Sequence, residues 1–241
     1  MAEKKLEGAG LRGQVAGKTS LSTVGKAGKG LTYRGYEIEV LSEKAFFEEV
    51  AYMLLYGNLP NTEEYSSYTN KLKKLRALPN ELKEVLENIP ASTHPMDVMR
   101  TGCSMLGNLE PEGDFKNQNS SADRILASLA SIIVYWYKFS HEGKKVDLDT
   151  NYETIGGHFL SLLTDKDPTE DDIRCLDTSL ILYAEHGFNA STFTARTCAS
   201  TLSDIHSCIT GAIGTLRGPL HGGANEAAME MIEQFSSREE A

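Results

Sequence analysis

Two histidines stand in settings that bias their rings toward chemistry. His221 lies in GPLHGGANEAAMEMIEQF, between a Gly-Pro turn and a Gly-Gly pair that opens an apolar-periodic stretch with Ala227, Ala228, Met231 and Ile232. Pro219 stiffens the approach, and Gly222 and Gly223 let the backbone come close to a ligand. A helix beginning here directs its N-terminal N–H groups at the same spot, and its dipole favours a neutral ring. A neutral imidazole can donate a hydrogen bond to a carbonyl oxygen that gains negative charge, which enolisation requires. His186, in EHGFNAST, falls at the end of a helical pattern, where the dipole favours a cation, and the Asn189 amide follows three residues later. For each histidine a plainer role is open: His221 as part of a tight turn, His186 as an ordinary helix C-cap.

The elements that must position these residues are mostly helices. Gly25, Gly28, Gly30 and Gly35 punctuate LSTVGKAGKGLTYRGYEIEV, which predicts a small hairpin within an N-terminal arm over 1–41. From 42 to 241 the pattern is helical. Ser42 is expected to cap a helix carrying Phe46, Val50, Met53 and Leu54 that Gly57 ends. Thr62 caps the next, and a short one runs through Leu82 and Leu86 to Pro90. Pro95 occupies a first helical position ahead of MDVMRTGCSML. The polar stretch from Gly107 to Ser121 reads as a surface loop and ILASLASIIVYWYKF as a buried core helix, too short for a membrane span. Thr154 and Thr169 begin two further helices, and Ser191–Ser200 and Ser203–Leu216 two more.

Composition excludes several classes. A net charge of −10 without a basic run argues against nucleic acid. Cys103, Cys175, Cys198 and Cys208 have no metal-ligand spacing, so inert thiols in a reducing compartment are expected, and no metal. The N-terminal residues MAEKKLEGAGLRGQVAG carry both charge signs without an apolar core, so a cytoplasmic protein off the membrane is expected.

From LSTVGKAGKGLTYRGYEIEVL through STHPMDVMRTG and EHGFNAST to GPLHGGAN, the chain resembles the citrate synthase family, with HPMDVMRTG, YWYKFSH and EHGFNASTFTAR leaning toward its 2-methylcitrate branch. The resemblance implies a helical large domain, homodimerisation, oxaloacetate and a short acyl-CoA as substrates, and no permanently bound cofactor. It implies His221 as catalytic, hydrogen-bonding the thioester oxygen, and His186 and Asn189 as oxaloacetate-binding. Tyr33, Arg34, Gly35 and Tyr36 match a family motif without an assigned role, and no residue is assigned to coenzyme A. In the family the second catalytic histidine, the catalytic aspartate and most of the CoA-binding small domain follow GPLHGGAN. This sequence stops at SSREEA, so the chain alone is expected to hold part of the site and to turn over poorly. His94 is expected to be structural and His141, His158 and His206 to take core or surface roles, while Arg100 is read equally as an internal ion-pair partner or a substrate contact.

Overall fold

The computed structural model describes residues 17–24, 30–237 and 240. The expected turns at Gly25 and Gly28 and the N-terminal residues 1–16 lie outside the described residues.

The arm is a three-stranded antiparallel sheet of β1 (Ser22–Thr23), β2 (Thr32–Tyr33) and β3 (Tyr36–Glu37), in that order. Ser22 pairs with Tyr33, and Tyr33 with Tyr36, so Arg34 and Gly35 form a two-residue turn. Their φ angles are 47° and 94°. A two-residue hairpin needs positive φ at both positions, which glycine adopts without strain. Arg34 is held there by a hydrogen bond from its guanidinium to Leu54 O at 3.2 Å.

Helices follow without a break in type. Ser42 lies inside α1 (Ile38–Lys44), not at a cap, and a separate α2 (Phe47–Tyr56) starts where Glu49 reaches back to the Phe46 N–H at 2.7 Å. Gly57 ends α2 with φ 112°, as expected. Asn61, one residue before the expected Thr62, caps α3 (Thr62–Lys74). Next come α4 (Asn80–Glu87) and α5 (Pro95–Leu109), the latter capped by His94 Nδ1, which accepts from Met96 N. The polar stretch read as a loop is helical at both ends. α5 runs through Gly107, and α6 (Gln118–Glu142) takes in Ser120 and Ser121, leaving only 110–117 as connection. Its polarity belongs to exposed helix faces and to one buried carboxylate, Glu112, which accepts from Ile205 N at 2.8 Å.

The central layer is α6 against α4 and α5. Ile132, Tyr135 and Trp136 meet Leu82, Leu86, Val98 and Leu106 in the largest core cluster. The α5 and α6 backbones approach closely at Gly102, where an added Cβ would fall 2.5 Å from Ile132 Cγ2. α7 (Ile155–Thr164) and α8 (Glu170–Tyr183) begin at Thr154 and Thr169 caps, as expected. Two antiparallel helices, α9 (Ala190–Ala199) and α10 (Ile205–Leu216), and a final α11 (Gly223–Ile232) complete the chain. Among the described residues no helix is long and apolar enough to cross a membrane.

Charged side chains of one helix satisfy the open ends of another, where orphan backbone groups need partners. Asp177 of α8 accepts from Phe47 N at 2.8 Å, and Glu48 of α2 accepts from Ile155 N at 2.7 Å. Arg174 donates to Ala45 O and Ser42 O, and Arg76 to the carbonyls of Tyr152 and Glu153. Two of the expected structural histidines are buried, His158 between Ser131 and Thr150 and His206 at the start of α10, while His141 stacks on Tyr137. Arg100 pairs with Asp97 at 3.1 Å. All four cysteines are free; Cys103 and Cys208 are buried, but Cys175 is exposed.

Burial pushes the Glu48 carboxyl from 4.5 up to about 7, and burial with the nearby Arg76 charge pushes His158 from 6.5 down to about 3. Between pH 4.5 and 7 the folded chain keeps a proton on Glu48 that the unfolded chain has lost, so this residue makes stability fall as pH rises. His158 acts oppositely. Below 6.5 the unfolded imidazole takes a proton the folded one refuses, so stability falls with decreasing pH down to about 3. Glu48→Gln keeps the acceptor for Ile155 and removes the titration. Relative to the parent, it should therefore be more stable at pH 8 than at pH 4 by about 3 kcal/mol. Urea midpoints at the two pH values test this; a substitution effect that is the same at both would refute it.

Candidate active site

The site is built where the arm meets the end of α8. Tyr33, fully buried, donates its hydroxyl proton to Ile181 O at 2.9 Å and accepts from Glu185 N at 3.2 Å. Burial raises its pKa, which keeps the hydroxyl a donor. Glu185 Oε1 accepts from Ser22 Oγ at 3.1 Å and from Gly187 N at 2.5 Å, and Gly187 turns the chain with φ 95°. The hairpin motif that had no assigned chemistry thus fixes the segment carrying His186.

Asn189 caps α9: its Oδ1 accepts from Thr192 N at 2.7 Å and from Ser191 Oγ at 2.8 Å. Its Nδ2 lies 3.1 Å from His186 Nε2. One amide N–H is therefore turned to His186 and one remains for a ligand. On the other side, α10 closes with Gly222 N donating to Leu216 O at 2.9 Å and His221 N to Gly218 O at 3.0 Å. That turn lays His221 Nε2 3.0 Å from Ser191 Oγ and 3.4 Å from Ser191 N. His186, Asn189, Ser191 and His221 form one continuous hydrogen-bonded row.

The geometry revises one expectation. His221 was expected to face the N-terminus of its own helix, whereas its Nε2 lies against the first turn of α9. Ser191 decides the tautomer, since its single hydroxyl proton has two neighbours. Given to Asn189 Oδ1, it leaves His221 Nε2 to donate; given to Nε2, it places the ring proton on Nδ1 and lets the Ser191 N–H point at Nε2 as well. The first keeps the Ser191–Asn189 bond and the row unbroken; the second gives up that bond, occupies an otherwise orphan first-turn donor of α9 and keeps an Nδ1–H for an oxygen that gains charge.

These residues line a cleft of about 770 Å³, together with His94 and Arg217. Sequence reasoning assigned His94 a helix-entrance role, which it has, but did not foresee that it also borders the cleft. It missed Arg217 altogether. Arg217 Nε lies 3.4 Å from Asp97 Oδ2, so an ion pair joins the HPMD and RGPLHGG motifs. The visible signal was an arginine four residues before His221. Among the described lining residues there is no carboxylate. Among the described residues no group of three or more His, Cys, Asp or Glu is placed to hold a metal ion.

A family model described as citrate synthase, C-terminal domain, matches residues 10–241. The chain belongs to the citrate synthase family. It is 64% identical over 238 residues to 2-methylcitrate synthase of Shewanella oneidensis, covering 99% of this chain and 64% of that protein. It is 41% identical to 2-methylcitrate synthase 1 of Corynebacterium glutamicum, covering 92% of this chain and 60% of that one. The crystal structure of citrate synthase from Thermotoga maritima superposes with a TM-score of 0.82 at 34% identity, covering 96% of this chain and 62% of that chain. The Thermoplasma acidophilum citrate synthase, solved as a ternary complex with carboxymethyl coenzyme A and oxaloacetate, gives a TM-score of 0.84 at 27% identity, covering 93% of this chain and 60% of that chain. The mostly helical citrate synthase fold with a short N-terminal β arm is therefore the fold of this chain, which spans less than two thirds of each of these relatives.

Proposed function

We propose that this chain supplies the oxaloacetate-binding side of an active site that condenses propionyl-CoA with oxaloacetate and water to 2-methylcitrate and CoA. The observation that carries this reading is the hydrogen-bonded row from His186 to His221 across one cleft, in a chain 64% identical to a 2-methylcitrate synthase. A dicarboxylate wants positive charge and donors; Arg217, His186 and the remaining Asn189 N–H offer them. His221 then donates to the thioester oxygen as the α-proton leaves, so that the enolate's charge develops against a fixed donor. Carbon–carbon bond formation to the ketone and hydrolysis of the resulting thioester complete the reaction. The acyl-CoA is a cosubstrate, and the chemistry asks for no metal.

Acetyl-CoA, giving citrate, is the second reading, favoured by the likeness to solved citrate synthases. One methylene in an apolar pocket discriminates by only about 1–3 kcal/mol, so both thioesters should react with unequal rates. A homodimer, a cytoplasmic setting, a role in propionate breakdown and a division into an arm over 1–41 and a helical body over 42–241 belong to the same proposal.

With three histidines, an arginine and no carboxylate among the described lining residues, the chain should bind oxaloacetate and release little thiol from either thioester. Calorimetric titration with oxaloacetate should show heat, and His186→Ala should weaken binding about tenfold, or about 1.4 kcal/mol. A folded chain with no oxaloacetate heat would overturn the assignment. Thiol release at a rate typical of enzymes would show that a base is present in the chain after all.

A further inference from the structure

The α9–α10 hairpin carries a cysteine on each arm near the end remote from the cleft. Cys198 is in the last turn of α9 and Cys208 in the first turn of α10; the Cys208 thiol donates to Ser203 O at 3.8 Å, and the Cys198 side chain lies near enough to act on it. Small residues fill the seam between the two helices. Thr215 Oγ1 donates to Thr194 Oγ1 at 2.9 Å across it, and a Cβ added at Gly211 would meet Thr194 Cγ2 at 3.6 Å. With Thr194 facing Gly211 and Thr215, one turn toward the connecting loop sets Cys198 opposite Cys208, and a seam this close brings facing residues toward the roughly 4.4–6.8 Å Cα separation that a disulfide spans. Cys198 is partly exposed, and Cys208 lines a shallow surface groove of about 240 Å³ with Ala195, Ala199, Ile205 and Ile209.

We propose that Cys198 and Cys208 are a reversible disulfide pair closed by a peroxide. The Cys198 thiolate attacks one peroxide oxygen; the O–O bond breaks, one water leaves after protonation, and a sulfenic acid remains on Cys198. The Cys208 sulfur then attacks that sulfur, the S–O bond breaks, and a second water leaves. Two thiols lose two protons and two electrons, and the peroxide is reduced to two waters. A dithiol reductant reverses the step by exchange. Burial and the neighbouring Cys198 push the Cys208 thiol up to about 11, so closure should quicken as pH rises.

The link would tie together the two helices that bound the cleft. The other end of α9 holds Asn189 and Ser191, and the other end of α10 leads into Arg217 and His221. The pair rests on thiol geometry and stands whatever substrate the cleft takes.

Both cysteines fall on one tryptic peptide, residues 197–217, which makes the test direct. The full chain is reduced, treated with a few equivalents of hydrogen peroxide, alkylated and digested. The expected peptide is lighter by two hydrogens than its unalkylated form, refuses alkylation, and regains both thiols with dithiothreitol. Closure should raise the thermal midpoint by roughly 5 °C or more. Cys175→Ser should leave both effects intact, and Cys198→Ser should abolish them. A peptide that stays alkylated at both cysteines, that gains oxygen instead of losing hydrogen, or that cross-links to Cys103 or Cys175 would overturn the pairing.

Discussion

Gly222→Ala should collapse the turn that presents His221. Gly222 donates to Leu216 O at 2.9 Å, and a Cβ on Gly222 would sit 2.2 Å from that same oxygen. The obstacle is purely steric, since φ at Gly222 is −69°, which any residue adopts. To make room, the peptide must swing away, breaking the bond that closes α10 and carrying His221 off Ser191. Overpacking and one lost hydrogen bond together come to about 2–4 kcal/mol. The urea midpoint should fall by roughly 1 M or more, and oxaloacetate affinity by more than tenfold. Gly223→Ala is the control, because its nearest neighbours would lie at 3.7 Å, an ordinary contact. Equal behaviour of the two variants would show that the turn does not depend on the close approach.

The second large effect lies far from the cleft. Asp123 is fully buried, and its carboxylate accepts from Tyr56 at 2.5 Å, Tyr68 at 3.0 Å and Lys71 at 2.5 Å. Burial and this carboxylate raise the pKa of both tyrosines, so they remain donors at every physiological pH. Asp123→Ala leaves two hydroxyls without their acceptor and opens a cavity between α3 and α6. Loss of one member of a buried charged network costs about 3–5 kcal/mol. Lys71, about half exposed, can turn to water, which places the loss toward the lower figure. Asp123→Asn retains the shape and one acceptor and should be milder. An alanine variant within 1 kcal/mol of the parent would mean that the network contributes little to folding.

How far the sequence foretold these arrangements differs by scale. Helix starts were legible wherever a cap side chain acts locally, as at Pro95, Thr154 and Thr169, because capping needs only neighbours in the chain. Ser42 misled because the partners that break α1 from α2 are Asp177 and Arg174, some 130 residues away. The stretch after Gly107 misled because helix faces exposed to water and a loop share one composition. For the site, His186, Asn189 and His221 were each visible, but not the row through Ser191 that connects them. Serine is too common to stand out, and its importance comes from α9 and α10 folding back on each other. Arg217 and Asp97 escaped notice for the same reason, being paired across 120 residues.

Tyr33 hydrogen-bonds Ile181 and Glu185 at sequence separations of 148 and 152 residues. On a ribosome adding about 5–20 residues per second, those partners emerge roughly 7–30 s after the tyrosine does. Throughout that interval the ring can pack only against the local part of its cluster, Ile38, Leu41, Val50 and Met53, and its hydroxyl has only water to bond. The segment before His186 can reach its final position only when the first-made part of the chain returns to it. Assembly of the cleft is thereby deferred until most of the helical body is already in place.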